Sequence, residues 1–149
     1  MSGGGMTVAA IAEVLGGKKA LKRKIETSSD LMELTRAGLP VAILSAIAHS
    51  LAVHRVAVAR LLGISERTLS RRVTINARLT AEESDRMVRL ARVLALAKDT
   101  LGGMDKAGRW LQTPNRALEG ERPFDRLDTD AGVRSVEQVL GRIAYGVYS

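Results

Sequence analysis

The stretch Ser65-Glu66-Arg67-Thr68-Leu69-Ser70-Arg71-Arg72-Val73 concentrates hydrogen-bond donors at helical spacing. At about 100° per residue, Leu69 and Val73 define an inward face. Arg67 and Arg71 centre the opposite face, flanked by Thr68, Ser70, Arg72 and Thr74. An arginine fork bridges guanine O6 and N7 with two hydrogen bonds, and serine and threonine hydroxyls adapt to base edges. Ser65 suits the N-cap, and the free N–H groups of a first helical turn also meet a phosphate. The candidate DNA-reading set is therefore Ser65, Arg67, Thr68, Ser70, Arg71 and Arg72.

Those side chains need a support, and the preceding residues supply one. Two short helices, Val56 to Leu62 and Glu66 to Val73, are expected to meet at Gly63. A helix-turn-helix needs a small residue at its crossing, and Ala59 fits. It needs a turn residue that tolerates positive φ, and Gly63 fits. Val58, Leu62, Ile64 and Leu69 supply the apolar wedge. An ordinary helical hairpin with a solvated arginine face is the plainer alternative.

Charge favours the nucleic-acid reading. The 149 residues carry a net charge of +7 and a pI near 10.4. Residues 41–98 hold 10 basic and 4 acidic side chains, whereas residues 99–149 hold 7 and 8. The basic middle points to an anionic partner. All four aromatics, Trp110, Phe124, Tyr145 and Tyr148, lie in the last third. Residues 1–109 thus lack the stacking platforms that single-stranded RNA recognition uses.

Enzyme chemistry finds little support. Cysteine is absent, which excludes disulfides, thiolate catalysis and cysteine-based zinc sites. His49 and His54 are five apart, off the spacing that shares a metal on one helix. Asp128 and Asp130 read as helix caps rather than as paired catalytic carboxylates. No phosphate loop or nucleophile elbow occurs. Neither metal nor cofactor is expected. The longest apolar stretch, Leu39 to Val53, is interrupted by Ser45, His49 and Ser50, and is shorter than the ~20 residues of a membrane span. Without an export signal or cysteine, the expected compartment is the cytoplasm. Met1 to Gly5 is set aside as a start-site variant or a fusion scar.

The remaining pattern is helical throughout, with no clean strand signal. Helices are expected over Thr7–Leu15, from Asp30 to Arg36, and from Pro40 through Leu51. Lys18–Lys24, with five basic residues in seven, reads as a solvated linker. Thr80-Ala81-Glu82-Glu83 is a capping box that opens a longer helix closed by Gly102-Gly103. Asp105 is expected to cap a short helix carrying Trp110, with Thr113 to Pro123 as a loop. Asp128, Thr129 or Asp130 starts the last helix, which Gly146 ends. The expected fold is all-α, with an N-terminal helical segment (1–39), a helix-turn-helix domain (40–98) and a small C-terminal helical unit (99–149).

The last segment carries a longer pattern. It reads Ala107, Trp110, Leu111, Pro114, Asn115, Ala117, Leu118, Gly120 and Pro123, then Gly132, Val136, Leu140, Arg142, Ile143 and Gly146. These residues resemble the toxin-binding domain of the Xre/MbcA/ParS antitoxin family. The upstream Thr68 to Arg72 and Leu79 to Leu96 resemble its Xre/Cro-like helix-turn-helix half. Glu119 departs from the pattern where many members have glycine.

The resemblance implies a type II antitoxin, not an enzyme. It would bind a cognate RES-domain toxin that degrades NAD+, occlude the toxin's active site, and repress the shared operon by binding operator DNA, commonly as a homodimer. Any cofactor would belong to the toxin. The toxin-binding residues expected on this basis are Asn115, Arg116, Arg134, Arg142, Tyr145 and Tyr148. Trp110, Leu111, Pro123 and Phe124 are expected to be scaffold. The alternative is a helix-turn-helix repressor whose C-terminal unit only mediates dimerisation.

Overall fold

The computed structural model describes residues 7–146. Tyr148 and the first five residues lie outside the described residues. The described residues form nine α-helices, and their only extended pairing is an isolated bridge between Pro40 and Arg78. The helices are α1 (Val8–Val14), α2 (Gly17–Leu21), α3 (Ser28–Ala37), α4 (Ala42–Leu51), α5 (Arg55–Leu61), α6 (Glu66–Ile75), α7 (Ala81–Leu101), α8 (Met104–Leu111) and α9 (Asp130–Ala144).

Local chemistry sets most boundaries. Thr80 accepts from the Glu83 N–H while Glu83 accepts from the Thr80 N–H, which opens α7 with a complete capping box. Gly102, in the left-handed region, closes it. Thr129 caps α9 through the Gly132 N–H.

Four expectations give way. Lys18–Lys24 is not a linker, because α2 occupies its first half and buries Leu21, with Ile25 buried just beyond. The cap of α3 is Thr27, and Asp30 is its capping-box partner three residues on. Pro40 stands before α4 in the bridge to Arg78, held by Val41 N–H to Ala77 O and Leu79 N–H to Leu39 O. Gly103, not Asp105, precedes α8 as its N-cap. The Thr113–Pro123 loop also contains a 3-10 turn, Arg116–Leu118, and Pro123–Arg126 forms a second.

α7 organises the molecule. Its buried side chains Met87, Leu90, Ala91, Val93, Leu94 and Ala97 face α1, α3, α8 and α9 in turn. Val133, Val136, Val139 and Leu140 of α9 join the same continuous core as Leu44, Ile47 and Leu62 of the middle segment. The last third therefore does not build a small core of its own; it completes one that α7 shares between both halves. No single described helix is long and apolar enough to cross a membrane. α4 and α5 have the composition only as a pair, and they bend by 112° at the break.

Candidate nucleic-acid and partner interfaces

α5 and α6 meet at a turn whose parts have separate jobs. Ala59 is fully buried, and its carbonyl accepts from the Leu62 and Ile64 N–H groups. Gly63 takes φ +77°, and a Cβ there would lie 2.8 Å from Arg86 Nη1. That guanidinium reaches over from α7 and donates to Leu62 O at 2.9 Å, while its Nη2 donates to Glu82 at 2.7 Å. Val58, Leu62, Ile64 and Leu69 are all buried and wedge the two helices.

The outer face of α6 presents Arg67, Ser70, Arg71 and Thr74 to solvent. Among the described residues neither Arg67 nor Arg71 has an ion-pair partner. Arg55 and Arg60 on α5 are exposed and unpaired in the same way. The cations of α7 are different: Arg86, Arg89, Arg92 and Lys98 all hold carboxylates. The basic middle segment thus divides into paired charge on α7 and unpaired charge at Arg55, Arg60, Arg67 and Arg71.

Three members of the expected DNA-reading set have other engagements. Ser65 accepts from the Thr68 N–H at 3.2 Å and donates to Thr68 Oγ1 at 3.0 Å, so its hydroxyl serves as the cap. Thr68 is half-buried beside it. Arg72 turns away from the outer face and pairs with Glu83, the two side chains being 18% and 14% exposed. Burial works to raise the Glu83 carboxyl, but the hydrogen bonds from Arg72 and Thr80 and the Arg72 charge outweigh it and hold the group below its ordinary range. Arg72 is thus an anchor of α6 rather than part of its exposed face. Glu83 and Arg86, which position the motif, lie 11 and 24 residues from the groups they hold, beyond the reach of local spacing.

In the C-terminal third, Asn115 caps the first 3-10 turn by accepting from the Ala117 N–H at 2.9 Å. Its backbone carbonyl also accepts from Leu118 and Gly120, which closes the loop on itself. Asn115 is therefore built into the scaffold, with Arg116 exposed on the turn that packs against α9. Glu119 takes φ +57°, the left-handed region that glycine enters freely. Phe124 is buried and Trp110 half-buried, as expected of scaffold.

The outward face of α9 carries Arg134, Arg142 and Tyr145, the last 68% exposed. Sequence spacing alone could also have placed Gln138 there, one turn beyond Arg134. The carboxylates on this helix are turned toward α7: Asp130 pairs with Arg89 at 2.8 Å and Glu137 with Arg92 at 3.1 Å.

Comparison with known proteins finds matches to both parts of the chain. Residues 30–92 match the antitoxin Xre-like helix-turn-helix domain, and residues 96–146 match the antitoxin Xre/MbcA/ParS C-terminal toxin-binding domain. The chain is 34% identical to Antitoxin Xre of Yersinia enterocolitica, over 80% of this chain and 81% of that protein. It is 37% identical to Antitoxin Xre of Photorhabdus laumondii, over 75% and 76%. A solved M. tuberculosis MbcT-MbcA toxin-antitoxin complex contains a chain of similar fold. That match has a TM-score of 0.54 and 25% identity, covering 73% of this chain and 96% of that one. An arginine-faced helix-turn-helix and a C-terminal helical segment on one shared core make this chain a member of the Xre antitoxin family, the antitoxin of a toxin–antitoxin system.

Proposed function

We propose that the chain neutralises a cognate RES-domain, NAD+-degrading toxin by occluding its active site, and represses its own operon by binding operator DNA as a homodimer. The observation that carries this reading is the separation of two exposed surfaces. Arg67 and Arg71 face outward on α6, and Arg134, Arg142 and Tyr145 face outward on α9. The chain contributes no catalytic group to the toxin's reaction. It acts by covering, and Arg142 and Tyr145 near the end of α9 have the reach to enter a nucleotide-sized cleft. Helix-turn-helix dimers read palindromic half-sites, which makes a dimer the natural operator-binding form.

Co-expression with the adjacent gene tests the toxin half. The expected result is a stable complex and preserved cellular NAD+, lost in Arg142→Ala/Tyr145→Ala. Retained neutralisation in that variant overturns the site assignment, and the absence of any complex leaves a repressor whose C-terminal unit only mediates dimerisation. A salt titration on the chain's own promoter tests the DNA half. Affinity should fall with a log–log slope of about −0.9 per phosphate neutralised, and no sequence-specific complex at low salt removes DNA from the account.

A further inference from the structure

Three glycines lie within helices of the C-terminal third, and two of them face other parts of the chain. A Cβ on Gly132 would stand 1.8 Å from the Arg126 carbonyl oxygen. One on Gly108 would touch the Leu51 backbone at 3.6 Å, in a buried helix crossing. Gly141 is the exception: a Cβ there would meet nothing within 4 Å. It lies within α9 outside the positive-φ region, where glycine is the poorest helix former after proline. Nothing inside the described chain calls for a bare backbone at this point.

Its neighbours define what meets it. At helical spacing Arg134, Gln138, Gly141, Arg142 and Tyr145 fall within an arc of about 100°. Asp130 and Glu137 are occupied by Arg89 and Arg92, so the charge left facing outward along this arc is cationic. Arg134 and Arg142 stand two turns apart, about 12 Å along the axis. Tyr145 closes the far end.

We infer that Gly141 marks the point of closest approach of an acidic surface of the toxin, whose carboxylates meet Arg134 and Arg142 and whose adjoining apolar socket takes Tyr145. This rests on the toxin-binding reading above and specifies the chemistry of the surface that binds. Bare backbone lets the partner chain lie against the helix, and the two cations fix its register and speed encounter.

The test uses the full chain and the adjacent RES-domain protein, with binding kinetics measured at several salt concentrations. Gly141→Ala should raise the thermal midpoint while weakening the complex, a combination that a purely structural glycine does not give. Gly141→Leu should speed dissociation by about tenfold or more. Arg134→Glu/Arg142→Glu should slow association by about tenfold at low salt and flatten its salt dependence. Unchanged kinetics in Gly141→Leu, or unchanged association in the charge reversal, overturns the inference while the toxin-binding reading stands. Failure of the unaltered chain to bind overturns both.

Discussion

A single oxygen of Glu83 accepts from both the Arg72 guanidinium and the Thr80 N–H, so one carboxylate starts α7 and anchors α6. Glu83→Gln keeps an acceptor for Thr80 and removes the charge that holds Arg72. It should cost about 1–2 kcal/mol in urea denaturation, as expected for a half-buried charged hydrogen bond. Glu83→Ala loses the capping bond as well and should cost more, by about 1 kcal/mol. Equal stability of the two variants would show that the cap contributes nothing.

Acid should destabilise the fold through three identifiable carboxyls. The N–H groups of Glu26 and Thr27 hold Asp30 below its ordinary range, and the Arg122 hydrogen bond does the same for Asp125. Glu83 is the third. A lowered folded-state pKa means the unfolded chain takes up the proton first as pH falls. The contribution is complete above the ordinary values, 3.8 for Asp and 4.5 for Glu, and is lost as pH drops through the folded ones. The denaturation midpoint should therefore be flat down to about pH 5 and fall below it. Glu83→Gln should flatten the acid limb.

Gly132 and Gly108 should respond oppositely to alanine. Gly132→Ala drives a methyl into the Arg126 carbonyl at 1.8 Å and should cost about 1–3 kcal/mol or more. Gly108→Ala adds its methyl at ordinary contact distance from Leu51 and gains up to about 1 kcal/mol of helix propensity. Thermal melts of the two single variants check this, and a tolerated Gly132→Ala would contradict the geometry.

On DNA, Arg71→Ala should cost about 1–3 kcal/mol of operator affinity and relax discrimination at one position if the side chain reads a base. Arg72→Lys should cost less, because a lysine still reaches Glu83. Competitive binding to operator and scrambled duplexes separates the two. An Arg72 effect larger than that of Arg71 would return Arg72 to the DNA-reading face.

What sequence could and could not show follows from the range of the interactions. Ser65, Thr80 and Thr129 announce their helices because a cap and its N–H lie three residues apart. The Leu69 and Arg71 faces follow from the helical period. Leu21 and Ile25 are also four apart, but five surrounding cations masked that signal and α2 read as linker. Pro40 stands before α4 rather than in its first turn because its partner Arg78 is 38 residues away, beyond local spacing. Arg72 faced outward on a helical wheel, and only α7, packed from elsewhere, supplies the carboxylate that draws it in. The exposed positions Arg134, Arg142 and Tyr145 follow from the helical period, whereas the Asn115 side chain closes its own loop.

The core that runs unbroken from α1 through α7 to α9 bears on inheritance. Domains strung on a linker recombine freely, because each keeps its own interior. Here Leu90 and Leu94 belong to both halves' interior, and Arg89 and Arg92 dock α9 from the helix that also clamps the Gly63 turn. A recombination that swaps either half must bring a matching α7 with it. Under the proposed function, operator choice and toxin choice are inherited together, and new pairings arise by substitution on the outer faces of α6 and α9.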